Sequence, residues 1–172
     1  MICRQEAFMK LTTVTLSMVA ALSLTSCATQ QAASTDWTPY LKSMQKGCDY
    51  PNPTTSSLAV PYQQSIIDTE TRYRGESSDK ETLTTYILSN ATAFGQPLNK
   101  IEYLSGYEWS HLKLYFANDP QALRKEFTLP VDKYGVNTVT KNDSSGYQVT
   151  GEGFTHLTFD KKDNSVTCGF GV

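Results

Sequence analysis

Thr155-His156-Leu157-Thr158-Phe159-Asp160-Lys161-Lys162-Asp163-Asn164-Ser165-Val166-Thr167-Cys168-Gly169-Phe170 is the most informative stretch of this chain. Thr155, Leu157 and Phe159 share one parity, and so do Val166, Cys168 and Phe170. Alternation of this kind is the period-two signature of half-buried strands. The polar run 161–164 between them is turn chemistry. The two segments read as neighbouring antiparallel strands, and Cys168 points with the apolar face.

The same pattern extends upstream. Residues 136–140 and 147–150 read as strands separated by the turn residues 142–146. Leu112, Leu114 and Phe116 alternate with His111, Lys113 and Tyr115 in a strand over 109–117, and 98–107 reads as its neighbour. Residues 82–88 are rich in Thr, Tyr, Ile and Leu, which suit a pleated surface. The helices are short. Asp36 or Thr38 caps a helix over 37–45 with Pro39 near its start and Gly47 after its end. Asn118-Asp119-Pro120 opens a second over 121–127. The spacing predicts an α+β fold, a single small domain over 37–172 dominated by an antiparallel β-sheet with two or three short helices. No repeat of solenoid length is present.

The N-terminus has a different character. Arg4 and Lys10 precede residues 11–24, 14 positions without a charge. That is the length of a signal-peptide apolar region and short of the roughly 20 residues a spanning helix needs. The run ends in Leu24-Thr25-Ser26-Cys27. Over this segment the chain resembles the bacterial lipoproteins, whose lipobox is an aliphatic residue, two small residues and a cysteine. The resemblance implies that residues 1–26 are a signal peptide and that Cys27 becomes the N-terminus, carrying diacylglycerol and an acyl chain such as palmitate. Several chains anchor far more firmly than one, since each buried methylene adds about 0.8 kcal/mol. Ala28 at the following position implies sorting to the outer membrane, on its periplasmic face or at the surface. Residues 27–36, small and polar, read as a flexible tether.

Cleavage there leaves 146 residues, enough for one domain with a real core. It removes Arg4, Lys10 and Glu6 and leaves 13 basic against 16 acidic residues. A nucleic-acid binder would normally carry a basic surplus, so that class is disfavoured. Of four cysteines, Cys3 leaves with the signal and Cys27 takes lipid. Cys48 and Cys168 remain, and two thiols in an oxidising compartment normally pair. A catalytic or metal-binding thiol is the alternative, but there is no CxxC and only His111 and His156 could supply imidazole.

The search for chemistry is sparse. The two histidines have no metal-binding spacing, and no GxSxG occurs. Glu102, Glu108, Glu126 and Glu152 could serve as carboxylate pairs, though a solvated face explains them more simply. No metal and no cofactor beyond the lipid on Cys27 is called for. What stands out is aromatic content near turns: Tyr103, Ser105, Gly106, Tyr107 and Trp109 around one, and Ser145, Gly146 and Tyr147 around another. Tyrosine combines contact area with a polar tip and is enriched at interfaces. Two such loops could form one edge of a binding face, or the rings could fold inward as sheet core. In composition Ser105-Gly106-Tyr107 and Ser145-Gly146-Tyr147 resemble the Ser, Gly and Tyr loop that bacterial lysozyme inhibitors insert into the enzyme cleft. That resemblance implies a small, disulfide-closed β protein that binds a cell-wall hydrolase.

The expected function is a non-enzymatic, membrane-tethered module that binds an envelope or extracellular protein, as an inhibitor of or immunity to a hydrolase or toxin. An envelope hydrolase with a carboxylate or histidine site is one alternative, and a structural lipoprotein of envelope assembly is another. Replacing Cys27→Ala should abolish palmitate labelling of the chain and move it out of the detergent phase. Labelling that persists in that variant would place the lipid elsewhere.

Overall fold

In the computed structural model, which describes residues 34–75 and 80–172, the C-terminal hairpin forms as its alternation predicts. Strands β9 (Phe154–Asp160) and β10 (Ser165–Gly171) pair antiparallel, with Val166 opposite Phe159 and Cys168 opposite Leu157. The Asp160 carboxylate accepts the Lys162 amide at 2.8 Å, and Asn164 takes a positive φ of 52°, which asparagine tolerates well. Residues 1–33, with the expected signal peptide, Cys27 and most of the tether, lie outside the described residues.

Around this hairpin an eight-stranded antiparallel sheet is built from two meanders. The first comprises β2 (Ile66–Arg74), β3 (Glu81–Leu88), β5 (Gln96–Ser105) and β6 (Trp109–Phe116). The second comprises β7 (Thr138–Asp143), β8 (Gly146–Thr150), β9 and β10. Their order across the sheet is β2-β3-β5-β6-β10-β9-β8-β7, joined where Leu112 of β6 faces Cys168 of β10. Each meander runs inward and ends at this seam, so the two are related topologically by a two-fold. A short β4 (Ala91–Ala93) also pairs with the start of β5, and β1 (Thr35–Asp36) lies parallel to β4. Among the described residues, strand structure thus begins at Thr35, before Trp37.

One face of the sheet is covered. Helix α1 (Thr38–Leu41) runs into a 3-10 turn over Lys42–Gln45, and with Trp37 before it delivers Trp37, Leu41 and Met44 fully buried. The Trp37 indole donates to Ser65 Oγ at 3.0 Å, so its buried N–H is satisfied. Ser65 closes α2 (Val60–Ser65), a segment with Pro61 in its first turn. The Asp36 carboxylate accepts the Thr38 amide, while the Thr38 hydroxyl instead accepts the Phe94 amide. The expected second helix is a 3-10 segment, Pro120–Glu126, whose Asp119 accepts the Gln121 amide at 2.9 Å. It supplies Leu123 and positions Phe127, whose ring meets Phe94 and Phe159 edge-on, each at 5.5 Å. Against these pack Ile101, Leu114, Leu157, Phe159 and Val166 from the inner sheet face. The fold is therefore α+β with a dominant antiparallel sheet. No helix among the described residues is long and apolar enough to cross a membrane.

Cys48 and Cys168 are bonded, with Cα atoms 5.3 Å apart across 120 residues of sequence. Gly47 and Cys48 both adopt positive φ, 70° and 58°, which turns the chain sharply from the helical layer onto the centre of the sheet. A side chain at position 47 would place its Cβ 2.5 Å from Pro130 Cα, so glycine is required there. A parallel bridge between Lys46 and Thr128, with the Gly47 amide donating to the Thr128 carbonyl, holds the approach. Closing so long a loop restricts the unfolded chain by roughly 4–5 kcal/mol in the entropic account. Reduction should therefore lower the urea midpoint sharply, and the Cys48→Ala/Cys168→Ala variant should match the reduced protein in a parallel titration.

Candidate binding surface

Register sorts every turn to one of two ends. Ser105 pairs with both Thr82 and Ser110, Ser110 with Phe170, and Thr155 with both Phe170 and Val149. The end of β2 at Arg74 and the 106–108 and 151–153 turns therefore share one end of the sheet. The 144–145 and 161–164 turns lie at the other, where the chain also enters through Thr35, whose amide donates to the Asn90 carbonyl. The two Ser-Gly-Tyr tripeptides thus sit at opposite ends of the strands. The expectation that they form one edge is corrected: three antiparallel pairings separate β5–β6 from β7–β8, and they reverse the hairpin.

The second tripeptide serves folding. Ser145 donates through its amide and hydroxyl to the Asp143 carboxylate at 2.8 and 2.7 Å. Gly146 has φ 136°, and a Cβ there would stand 1.8 Å from the Leu157 carbonyl oxygen. Tyr147 falls on the inner face with Val149 and is 1% exposed. Its hydroxyl has no partner among the described residues, and burial pushes the phenol up to about 12, against the lowering influence of Arg124.

The first tripeptide faces solvent. The Gly106 amide donates to the Trp109 carbonyl at 2.8 Å, and the Val172 amide donates to the Glu108 carbonyl, so Val172 braces the turn. Tyr107 at its tip is 82% exposed. Ser105 and Tyr103 lie on the inner face, and Tyr103 is partly buried against the core. Trp109 projects onto the outer face, 40% exposed.

Two glycines of β10 shape that outer face. Gly171 lies between Trp109 and Phe154, and Gly169 between His111 and His156. A Cβ on Gly171 would come 2.4 Å from the Phe154 ring, and one on Gly169 would come 2.1 Å from the His156 ring. The rings of β9 thus lie over bare backbone, where they take the place of side chains that glycine lacks. Phe154 and His156 stack at 5.9 Å with planes 16° apart, and Trp109 and His111 stand 5.9 Å apart. Burial lowers both imidazoles below the ordinary value of 6.5, and at His111 the neighbouring His156 lowers it further, offset in part by Glu102 and Glu81. The pair is neutral at neutral pH.

On the inner face at the same end, two hollows of about 310 and 430 Å³ meet at Thr155 and Phe170. One is bounded by Tyr50, Tyr103 and Ser110, with the Tyr50 and Ser110 hydroxyls 2.8 Å apart. The other lies under a loop carrying Val131, Tyr134 and Val136, exposed by 81, 85 and 53%. Asp132 organises this loop. Its carboxylate accepts the amides of Tyr134, Gly135 and Val136 on one oxygen and Asn137 on the other. Slight desolvation raises the carboxyl, but the four amides outweigh it and hold it below the usual range.

Tyr73, Phe154, Phe170 and Val172 complete a rim of exposed apolar groups at this end, while among the described residues Val60 and Ile67 are the exposed large hydrophobics at the other. Sequence reasoning found Tyr107 and Trp109 but missed Val131, Tyr134 and Phe170. The Asp132-Lys133-Tyr134-Gly135 turn was a readable local signal; the juxtaposition with Phe170 was not, because it arises from register. Among the described residues, no group of three or more His, Cys, Asp and Glu side chains is placed to hold a metal ion.

An imidazole whose folded-state value lies below its unfolded one contributes stability that is complete above the unfolded value and is lost as pH falls below it. Lowering the pH from 7.5 towards 5 should therefore destabilise the domain in urea titrations, and His111→Asn with His156→Asn should flatten that dependence. Compared with known proteins, the chain matches no family model, no curated protein and no solved structure.

Proposed function

We propose that this chain is a lipoprotein anchored through Cys27 to the bacterial outer membrane, where it binds another protein without chemistry of its own. One observation carries the reading: among the described residues, most of the exposed large apolar side chains, Tyr107, Trp109, Tyr134 and Phe170 among them, lie towards one end of the sheet. Monomeric proteins rarely leave such a patch uncovered unless it meets a partner. Aromatic groups on a braced turn and a clamped loop lose little freedom on binding, which favours tight association. Thr35, the first strand residue described, lies at the opposite end.

The partner is an envelope or extracellular protein, with a cell-wall hydrolase or a toxin as the class that the Ser105-Gly106-Tyr107 resemblance favours. Tyr107, foremost on the turn, is the residue such a cleft would receive. The Tyr107→Ala and Tyr134→Ala variants should each weaken capture of the envelope partner by more than about 1 kcal/mol while leaving the urea midpoint unchanged. Tyr147→Ala should lower the midpoint instead, because that ring is core. Unaltered binding in both exposed-site variants, measured by titration calorimetry, would remove this end of the sheet as the interface.

A further inference from the structure

We propose that β2 is a self-pairing edge, and that two copies of this chain join by antiparallel β2–β2 contact centred on Thr71 into a two-fold dimer with one continuous sheet. Among the described residues the strand pairs with β3 alone, in an outer position, and every residue from Ile67 to Arg74 is exposed. Uncovered edges offer unpaired amides and carbonyls to another chain. Its one irregularity lies between Ile66 and Asp68, which leaves Asp68–Arg74 in regular register with β3. The Thr69 amide donates to the neighbouring Asp68 carboxylate at 2.8 Å, a local contact that a second copy would exchange for a ladder hydrogen bond.

The order of charges selects the occupant. Asp68, Glu70, Arg72 and Arg74 alternate with Thr69, Thr71 and Tyr73, so all four charges share one face. Antiparallel pairing about Thr71 sets Asp68 opposite Arg74 and Glu70 opposite Arg72 of the second copy, in both directions at once. On the other face Thr69 meets Tyr73. Unlike charges directly opposite each other stabilise a sheet, and like charges destabilise it. An edge that only repels would carry one sign; this one carries two, in the order that complements itself. Glu70 and Arg72 already lie against each other at 2.7 Å, and a second copy would close them into a square of alternating sign. The opposite edge, β7, is broken by a bulge between Val139 and Lys141, which blunts it. A two-fold contact also closes on itself, where β2 against β7 would propagate.

The test uses the full chain in mild detergent, followed by sedimentation velocity from micromolar to hundred-micromolar concentration. The wild type should dimerise. Glu70→Arg, which brings like charges together, should raise the dimer dissociation constant at least about tenfold. The double variant E70R/R72E restores complementarity and should return it to within about threefold of wild type. Under mild oxidation, Thr71→Cys should give a disulfide joining residue 71 to residue 71, identified by mass spectrometry, since opposed Cα atoms in such a pair stand about 5.5 Å apart. Circular dichroism controls for folding, and the Thr71→Cys result stands without the charge variants. A chain that remains monomeric throughout, a Glu70→Arg variant that dimerises like wild type, or cross-linking at Val139→Cys instead of Thr71→Cys would each overturn the proposal.

Discussion

The pairing of β6 with β10 is the contact on which the other elements depend, because it joins two meanders that otherwise share few hydrogen bonds. Each meander forms from sequential hairpins, and local turns bring its strands together at small entropic cost. The seam is different. Leu112 meets Cys168 only after more than fifty intervening residues have been placed, and the apolar pairs Leu112–Cys168 and Leu114–Val166 must repay that closure. Cys168 stands in this row, and its bond to Cys48 ties the seam to the helical layer above it. The inner face, the covering segments and the sheet centre are thus held through one place.

The seam also shapes the surface. Because β10 lies between β6 and β9, its glycines separate ring-bearing positions on both neighbours, and the open backbone at Gly169 and Gly171 is what His156 and Phe154 cover. The same register draws the 106–108 and 151–153 turns, the Asp132 loop and Val172 to one end. An aromatic rim built this way costs the core little, since Trp37, Tyr86 and Tyr147 supply its large buried rings.

Much of this was legible. The alternation in β6, β9 and β10, the turn residues around Asn164, the Asp119 cap and the pairing of Cys48 with Cys168 all follow from chemistry within a few residues or from counting thiols. Other elements gave no such signal. Strand β2 escaped notice because Asp68-Thr69-Glu70-Thr71-Arg72 is polar on both faces, as befits an edge with no core to bury. Helix α2 is only Val60–Ser65, too short for a periodic stripe. Tyr147 looked like a loop aromatic, yet the twist imposed by Gly146 and its parity with Val149 turn it inward.

What the sequence by itself determined is local: alternating residues commit segments to strands, turn formers separate them, and Cys48 and Cys168 are the two thiols available to pair within the folded domain. Which end each turn occupies, which ring lies over which glycine, and which strand is left at the edge were decided by tertiary structure alone. The physical reason is range. Backbone preference and side-chain parity act over a few residues, while strand order is set by burial and hydrogen bonding between segments far apart in the chain, where no neighbouring residue records the outcome.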